Sequence, residues 1–581
     1  MTEVLEVKEE KIIINEGPPV GEERVFTERP PGVAPIKPEF IVKKSPNEET
    51  TSTNGDQSKP SKNKRRGMNK KRRNEMHKAD LIVRAKTVRL CHSAFRDVPC
   101  KFGEKCNSEH DIKKFLEQKP TDLGENCPVF DFRGTCPFSY ACRFGNAHVD
   151  AEGKQATKKV DSPYEETLNS HSSTGVLFKI RKKQYDYSKS KEILKAIKEN
   201  RIGSMEREPV RLDMKSIQGK RYLAPLTTVG NLPFRRMCVD LGAEVTCGEM
   251  ALATCLLAGN ASEYSLIKRH PSEKIFGVQL AGGYPDAMTM AAELIADNFE
   301  VDFIDINCGC PIDLINDKGA GCALPTKEKK LFEVISGMKN AMEDIPLTVK
   351  LRTGLKEGIL TADKTISYMA KNCRPDLITF HPRSKEQRYS KAANWSFVEP
   401  CVKAADGVPF FVCGDVLSWE DYYERLEKNP IDGIMIARGA LIKPWIFTEI
   451  AERRNWDIHS NERLDLVKKF VDYGLDHWGS DDMGVEKTRR FLLETLSFQC
   501  RYLSPFSFFK IVFLFRYIPV GLLEVLPQKI NDRPPTYVGR DEMETLLSSP
   551  RASDWVKISE MFLGKTPEDF VFVPKHKANA Y

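Results

Sequence analysis

Eight short apolar runs, each followed by a stretch of helical periodicity, constrain this chain more than any other feature. They occupy residues 222–226, 244–247, 275–280, 303–307, 347–351, 377–380, 410–413 and 433–437. Between them lie segments such as 286–297 and 329–342, whose apolar residues recur at helical spacing. Eight strand-then-helix units in roughly 230 residues predict a (β/α)8 TIM barrel, an α/β fold typically about 250 residues long. A doubly wound sheet is the alternative. No Gly-x-Gly-x-x-Gly follows the first run, which weighs against it.

If the runs are barrel strands, their C-terminal ends meet at one mouth, where this fold keeps its chemistry. Delivered there are Ala224, Pro225, Leu226 and Thr227, then Gln279, Asn307 through Cys310, Lys350 and Arg352. His381 and Arg383, Cys413, Gly414 and Asp415, and Ala437, Arg438 and Gly439 complete the set. The stretch Asp305-Ile306-Asn307-Cys308-Gly309-Cys310-Pro311 ends a buried run on a tight turn and leads into a Gly-rich segment, 318–322. A lone cysteine is more often a buried structural thiol than a reactive one. Polar groups repeated just past apolar runs favour the functional reading here. Gly414 and Gly439 let backbone N–H groups face a phosphate, and Arg438 adds a charge-assisted contact.

A chain of 581 residues exceeds one ordinary domain, and its 16 cysteines need an explanation. Residues 1–10 are acidic and lack the apolar core of a secretory signal, so metal ligands or catalytic thiols are expected rather than disulfides. Cys91, Cys100, Cys106 and His110 are spaced C-x8-C-x5-C-x3-H, and Cys127, Cys136, Cys142 and His148 are spaced C-x8-C-x5-C-x5-H. Three thiolates and an imidazole suit tetrahedral Zn2+, and segments this short need a metal to fold. Aromatics lie between the ligands: Phe95 and Phe102 in the first set, Phe138, Tyr140 and Phe144 in the second. They either stack on unpaired bases or cover the metal.

Residues 1–84 are polar, Pro-rich and then basic, and are expected to be disordered. Lys62, Lys64, Arg65, Arg66, Lys70, Lys71, Arg72 and Arg73 form one block. Such a block serves as a solvated arm, a nuclear address or a nucleic-acid contact. The net charge of +7 says little beside it.

The two Cys/His sets resemble CCCH zinc fingers, a family that commonly binds RNA. Residues 223–235 (LAPLTTVGNLPFR) and 304–311 (IDINCGCP) resemble the two signatures of the tRNA-dihydrouridine synthases, and the similarity extends over residues 85–570. The resemblance implies FMN in the barrel mouth, reduced by NADPH or NADH, and hydride transfer to C6 of a uracil. Fingers joined to a barrel imply uridine 47 of the tRNA variable loop as the target, with some mRNA uridines as a further candidate. The resemblance implies that Pro225, Leu226, Thr227 and Gln279 contact the flavin ring, and Lys350 and His381 the ring or substrate. Cys413, Gly414, Asp415, Ala437 and Arg438 would hold the ribityl chain and phosphate. Leu226 replaces the family's Met, a volume-conserving change. Cys413 replaces its Asn, which leaves a backbone contact.

Cys310 would protonate C5 of the uracil, while Cys308 aligns with a variable position. A thiol of pKa about 8.5 stays protonated near neutrality and can act as an acid. A nucleophilic cysteine would want a thiolate-stabilising setting instead.

The expected divisions are a basic arm (1–84), two fingers (85–115 and 121–152), and a linker with one helix at 190–200 (153–205). A barrel (206–450), a helical tRNA-binding region (451–565) and a tail (566–581) follow. In the helical region Leu464, Val467, Phe470 and Val471 share a face. Lys468, Lys469, Lys487, Arg489 and Arg490 are either phosphate contacts or an ordinary solvated face. Residues 502–516 (YLSPFSFFKIVFLFR) depart from the family's pattern and are too short and interrupted to span a membrane. They are expected to be poorly ordered or destabilising. A monomer in the cytoplasm, the nucleus or both is expected, with no membrane contact and with the fingers raising the local concentration of tRNA. Two other readings stand beside this one: a flavin barrel reducing a small pyrimidine, and an RNA-binding regulator with an inactive barrel.

Overall fold

A computed structural model describes residues 33–34, 36–42, 88–95, 98–150, 154–161, 163–170, 175–201, 211–389, 391–504, 522, 534–568 and 570–575. The basic block at 62–73 lies outside the described residues. The predicted barrel is present. Its strands are β1 (Tyr222–Leu223), β2 (Val245–Cys247), β4 (Ile275–Ala281), β5 (Phe303–Cys308), β6 (Leu347–Arg352), β7 (Leu377–His381), β8 (Phe410–Val412) and β9 (Gly433–Ile436). Each pairs in parallel with the next, and Leu223 of β1 lies opposite Ile436 of β9, which closes the sheet. A two-residue strand, β3 (Ala251–Leu252), extends the mouth end of β4 and is too short to leave a pattern in the sequence.

Strand alternation decides which side chains reach the interior. In β5, Phe303, Asp305 and Asn307 point inward, while Ile304, Ile306 and Cys308 join the apolar layer beneath the outer helices. Tyr222, Phe303, Phe411 and Met435 fill the barrel floor with Met214 and Ile217 of the 3-10 helix Met214–Ile217. Two glycines make room for those rings. A Cβ on Gly277 would sit 2.1 Å from Phe303, and one on Gly433 2.5 Å from Phe411.

The helices Pro285–Asn298 and Glu328–Met342 match the segments expected between runs. The helix Ser188–Lys198 docks on the barrel's outer layer, with Ala196 and Ile197 buried and the Ser190 N–H donating to Glu293 at 3.1 Å. The segment expected to be a linker with one helix holds a second, Val176–Arg181, which buries Val176, Leu177 and Ile180 in the same layer.

The helices Ser460–Trp478, Asp482–Gln499, Glu542–Leu547 and Ala552–Leu563 form the helical part, with Val467, Phe470 and Val471 buried as their spacing predicts. One expectation needs correction. Residues 33–42, expected to be disordered, pair with the C-terminal part: Val42 N–H donates to Thr536 O (3.1 Å) and Val538 N–H to Phe40 O (2.8 Å). Ala34 and Ile36 are buried there with Leu503, Leu522 and Tyr537. Of the unusual apolar stretch only 502–504 are described, and Tyr502 packs edge-on against Trp445 at 4.8 Å. Residues 505–516 lie outside the described residues. No helix among the described residues is long and apolar enough to cross a membrane.

Candidate active site and metal clusters

The turn after β5 is built by Asn307. Its side-chain oxygen accepts from Cys310 N–H (2.8 Å) and Gly309 N–H (3.2 Å), and its amide donates to Gln279 Oε1 (2.7 Å). Gln279 in turn donates to Asp305 (2.7 Å), whose other oxygen accepts from Thr348 (2.6 Å). Burial raises the Asp305 carboxyl, while the bonds from Thr348 and Gln279 offset that shift. A polar layer thus lies between the apolar floor and the mouth, and it fixes the rotamer of Asn307. A second brace comes from β6: Arg352 Nε donates to Gly309 O at 2.8 Å.

The two cysteines of the turn have different surroundings. Cys308 faces outward into the helix layer, and burial holds its thiol well above the usual range. It also borders a cavity of about 450 Å³ on the barrel's outer side, with Cys322, Glu328 and Lys364. Cys310 lies on the turn beside Ile315 and Ala320, and its carbonyl accepts from Asn316 (2.9 Å) and Cys322 N–H (3.2 Å). Burial raises its thiol too, outweighing the Ile312 N–H and the cations Arg352, Arg388 and Lys385.

Opposite the turn the barrel presents cations. Lys350 is the register partner of Asn307 and, by alternation, points inward. His381 ends β7. Burial, then Arg352, Lys350, Arg383 and Arg438, hold its imidazole well below the usual range, so it is neutral. Arg383 Nη1 lies 3.4 Å from His381 Nε2. Arg383 also donates to both Asp415 oxygens (2.7 and 2.6 Å), and Arg438 donates to Oδ1 (2.8 Å). Burial lowers Arg438 to about 10, which leaves it charged at neutrality, and it sits 4.1 Å from the Tyr389 ring.

Two buried guanidiniums against one carboxylate leave a surplus positive charge beside Gly414 and Gly439. That charge, at the strand seven and eight loops, suits the phosphate of a flavin mononucleotide. Asp415 acts there as a brace that orients both arginines. The Cys413 side chain joins the floor cluster with Phe411 and Met435, and its N–H is engaged by Phe380 O (2.8 Å). Pro225 and Leu226 are half-buried and Thr227 is exposed at the rim. Ala437 caps the short helix Arg438–Ile442. Sequence reasoning missed the pairing of Gln279 with Asp305 and Thr348, although all three fall on predicted strands. Tyr389, in a loop, gave no signal.

Both Cys/His sets converge. In each, one atom from every residue lies within 4.8 Å of the others. Sγ–Sγ separations are 3.7 and 3.9 Å in the first set and 3.7 and 4.0 Å in the second. Thiolates about 2.3 Å from a tetrahedral zinc stand about 3.8 Å apart, so the cages fit that metal. His148 takes part despite its longer spacing because the 3-10 turn Gly145–Ala147 absorbs the extra residues. Neither of its buried ring nitrogens has a hydrogen-bond partner among the described residues, as expected of a metal ligand.

A barrel mouth with a polar-layered floor, a protonated thiol on a fixed turn and a cationic rim agrees with the comparisons. The dihydrouridine synthase (Dus) family model matches residues 222–495. The chain belongs to that family. It is 45% identical over 547 residues to tRNA-dihydrouridine(47) synthase NAD(P)(+)-like of Rattus norvegicus, covering 85% of this chain and 82% of that one. The human protein of the same name is 45% identical over 549 residues (85% and 81%), and a Coprinopsis cinerea synthase is 39% identical over 690 residues (95% and 98%). Among solved structures, histamine dehydrogenase from Rhizobium sp. 4-9 overlaps 44% of this chain and 49% of its own at 14% identity, with a TM-score of 0.33.

Proposed function

We propose that this chain is a flavin-dependent tRNA-dihydrouridine synthase that reduces the C5=C6 bond of uridine 47 with NADPH or NADH. The observation that carries the reading is the Cys310 thiol, kept protonated by burial on a turn that Asn307 fixes, in a mouth lined by Lys350, His381 and two arginines. When bound there, FMN would supply the hydride that C6 takes up. Cys310 then gives its proton to C5, and burial suits the thiol to this because the neutral form is the one that donates. Lys350 offers a donor to a uracil carbonyl, where a developing negative charge is stabilised. Neutral His381 adds a hydrogen-bonding group without further charge. Arg438 and the Gly414 and Gly439 backbone grip the flavin phosphate, with Asp415 holding the guanidinium in line.

Both fingers hold Zn2+, and tRNA is the partner, with some mRNA uridines as a further substrate. The protein works as a monomer in the cytoplasm, the nucleus or both. Mapping dihydrouridine across total tRNA from cells lacking the protein tests the reading. Loss confined to position 47 supports it, and loss confined to the D-loop overturns the target. Turnover on free uridine or dihydroorotate, with none on tRNA, would replace it with a small-molecule reductase.

A further inference from the structure

The loop after β1 holds a backbone conformation that its own residue disfavours. Among the described non-glycine residues with positive φ, Thr228 (φ 76°) is the only β-branched one. A side chain branched at Cβ is an outlier in that region, and such residues persist only where their surroundings over-determine them. Thr228 is buried and directly follows Pro225, Leu226 and Thr227, the stretch expected against a flavin ring.

Both backbone groups of Thr228 are gripped by side chains. Its N–H donates to a carboxylate oxygen of Glu249, and its carbonyl accepts from the Asn231 amide at 3.2 Å. Asn231 is itself fixed as the N-cap of the helix Leu232–Asp240, where its oxygen accepts from Phe234 N–H at 3.2 Å. Gly230 N–H closes the loop on Leu226 O at 2.7 Å. The Asn231 grip comes from the loop's own continuation, whereas Glu249 reaches in from another strand, two residues past the end of β2. Glu249 is only 9% exposed and forms no salt bridge among the described residues. Burial raises its carboxyl, and the bond from Thr228 N–H offsets that shift. An acid buried without a cation is unfavourable, so its place beside this loop needs a reason. The next residue, Met250, packs against the cluster of Cys310, Ile315 and Ala320, so one dipeptide touches both the loop and the turn that carries the thiol.

We propose that Glu249 is a positioning residue for the cofactor: it holds Thr228 in the left-handed conformation and so keeps residues 225–227 in the shape that receives the flavin ring. The inference rests on the flavin reading above and deepens it. A loop fixed in its binding shape loses little freedom when the ligand arrives. Without Glu249 the Thr228 backbone relaxes toward negative φ, and the apparent affinity falls by the fraction of time the binding shape is lost.

The test strips full-length protein of flavin and titrates it with FMN, reading the quenching of flavin fluorescence with neither RNA nor NADPH present. Glu249→Gln should bind FMN within about threefold of the unaltered protein, because the amide oxygen accepts the same bond. Glu249→Ala should bind about tenfold more weakly or worse, as the strain at Thr228 loses its counterweight. Thr228→Gly should keep the original affinity. Added to Glu249→Ala it should recover most of the loss, because glycine takes positive φ without a side-chain penalty. That rescue would not follow from a general loss of packing. Glu249→Asp keeps the charge but withdraws the acceptor by one methylene, and it carries the same expected loss and rescue should the alanine variant fail to fold. Unchanged FMN affinity in Glu249→Ala, or a double variant as weak as Glu249→Ala, overturns the brace. Failure of the unaltered protein to bind FMN would instead overturn the functional reading.

Discussion

The two Cys/His clusters share a motif but serve the molecule differently. Both run C-x8-C-x5-C, and both turn through a 3-10 helix between their second and third cysteines, Gly103–Lys105 and Ser139–Ala141. In the first, the cysteines are half-buried and His110 is exposed, whereas all four ligands of the second are buried. The same aromatic position makes the contrast concrete. Phe102 is 73% exposed, while Phe138 packs where a Cβ on Gly479 would come within 2.6 Å of its ring. Around it Arg143 N–H donates to Ser480 O (2.8 Å), its guanidinium pairs with Asp482 (2.5 Å), and Arg133 joins Arg236 of the barrel on Asp476. The motif specifies a metal cage; the surface that meets the cage decides whether it belongs to the fold or stands apart from it. The second finger is part of the catalytic body, so only the first retains the character of an appended module.

The largest effect that separates the fingers is metal loss. Cys142→Ser should release zinc from the second cage and lower the main melting transition by ten degrees or more, since structural zinc contributes folding free energy directly, up to about 10 kcal/mol or beyond in isolated fingers. Cys100→Ser should leave that transition within a degree or two. Calorimetry with metal analysis decides, and equal losses from both variants would erase the contrast. Next, Asp476→Ala should cost about 3 kcal/mol in chemical denaturation because it strands two arginines at a seam. Phe138→Ala should cost about 2 kcal/mol, against less than about 0.5 kcal/mol for Phe102→Ala.

The same division between structural and open side chains recurs at Cys308 and Cys310, and here the smallest effect is informative. Burial raises the Cys310 thiol above its ordinary range, so the proton-donating form is complete at neutrality and is lost only as pH rises through the raised value. Single-turnover dihydrouridine formation should therefore be flat across neutrality and decline only in the alkaline range. A decline centred near pH 7 would mean that the thiol is not the acid.

Much of this was legible from sequence because buried parallel strands leave continuous apolar runs; the choice of Cys310 over Cys308 came from the family resemblance, and the structure adds that Cys308 faces outward from β5. β3 and the helix Val176–Arg181 are too short for periodicity to declare them. Arg489, placed among the phosphate contacts by its charge, is buried and donates to Ser559 Oγ (3.1 Å) and Leu563 O (2.5 Å). Helical spacing cannot say which neighbour a face will meet. The pairing of residues 33–42 was hidden for a related reason: Ile41 bridges to Tyr537, a partner that sequence distance conceals. Within the site, the chemistry-bearing residues were visible at strand ends, but the layer beneath them was not. Asp305 and Thr348 looked like ordinary strand residues until Gln279 joined them.

The central claim is that Cys310 donates the proton while the rest of the mouth holds flavin and substrate. Its most direct measurement follows both half-reactions in Cys310→Ala, with Cys308→Ala alongside. The account predicts full flavin content and normal reduction by NADPH in both variants, with dihydrouridine formation on tRNA lowered by at least about a hundredfold in Cys310→Ala alone. Undiminished dihydrouridine formation by Cys310→Ala would contradict it.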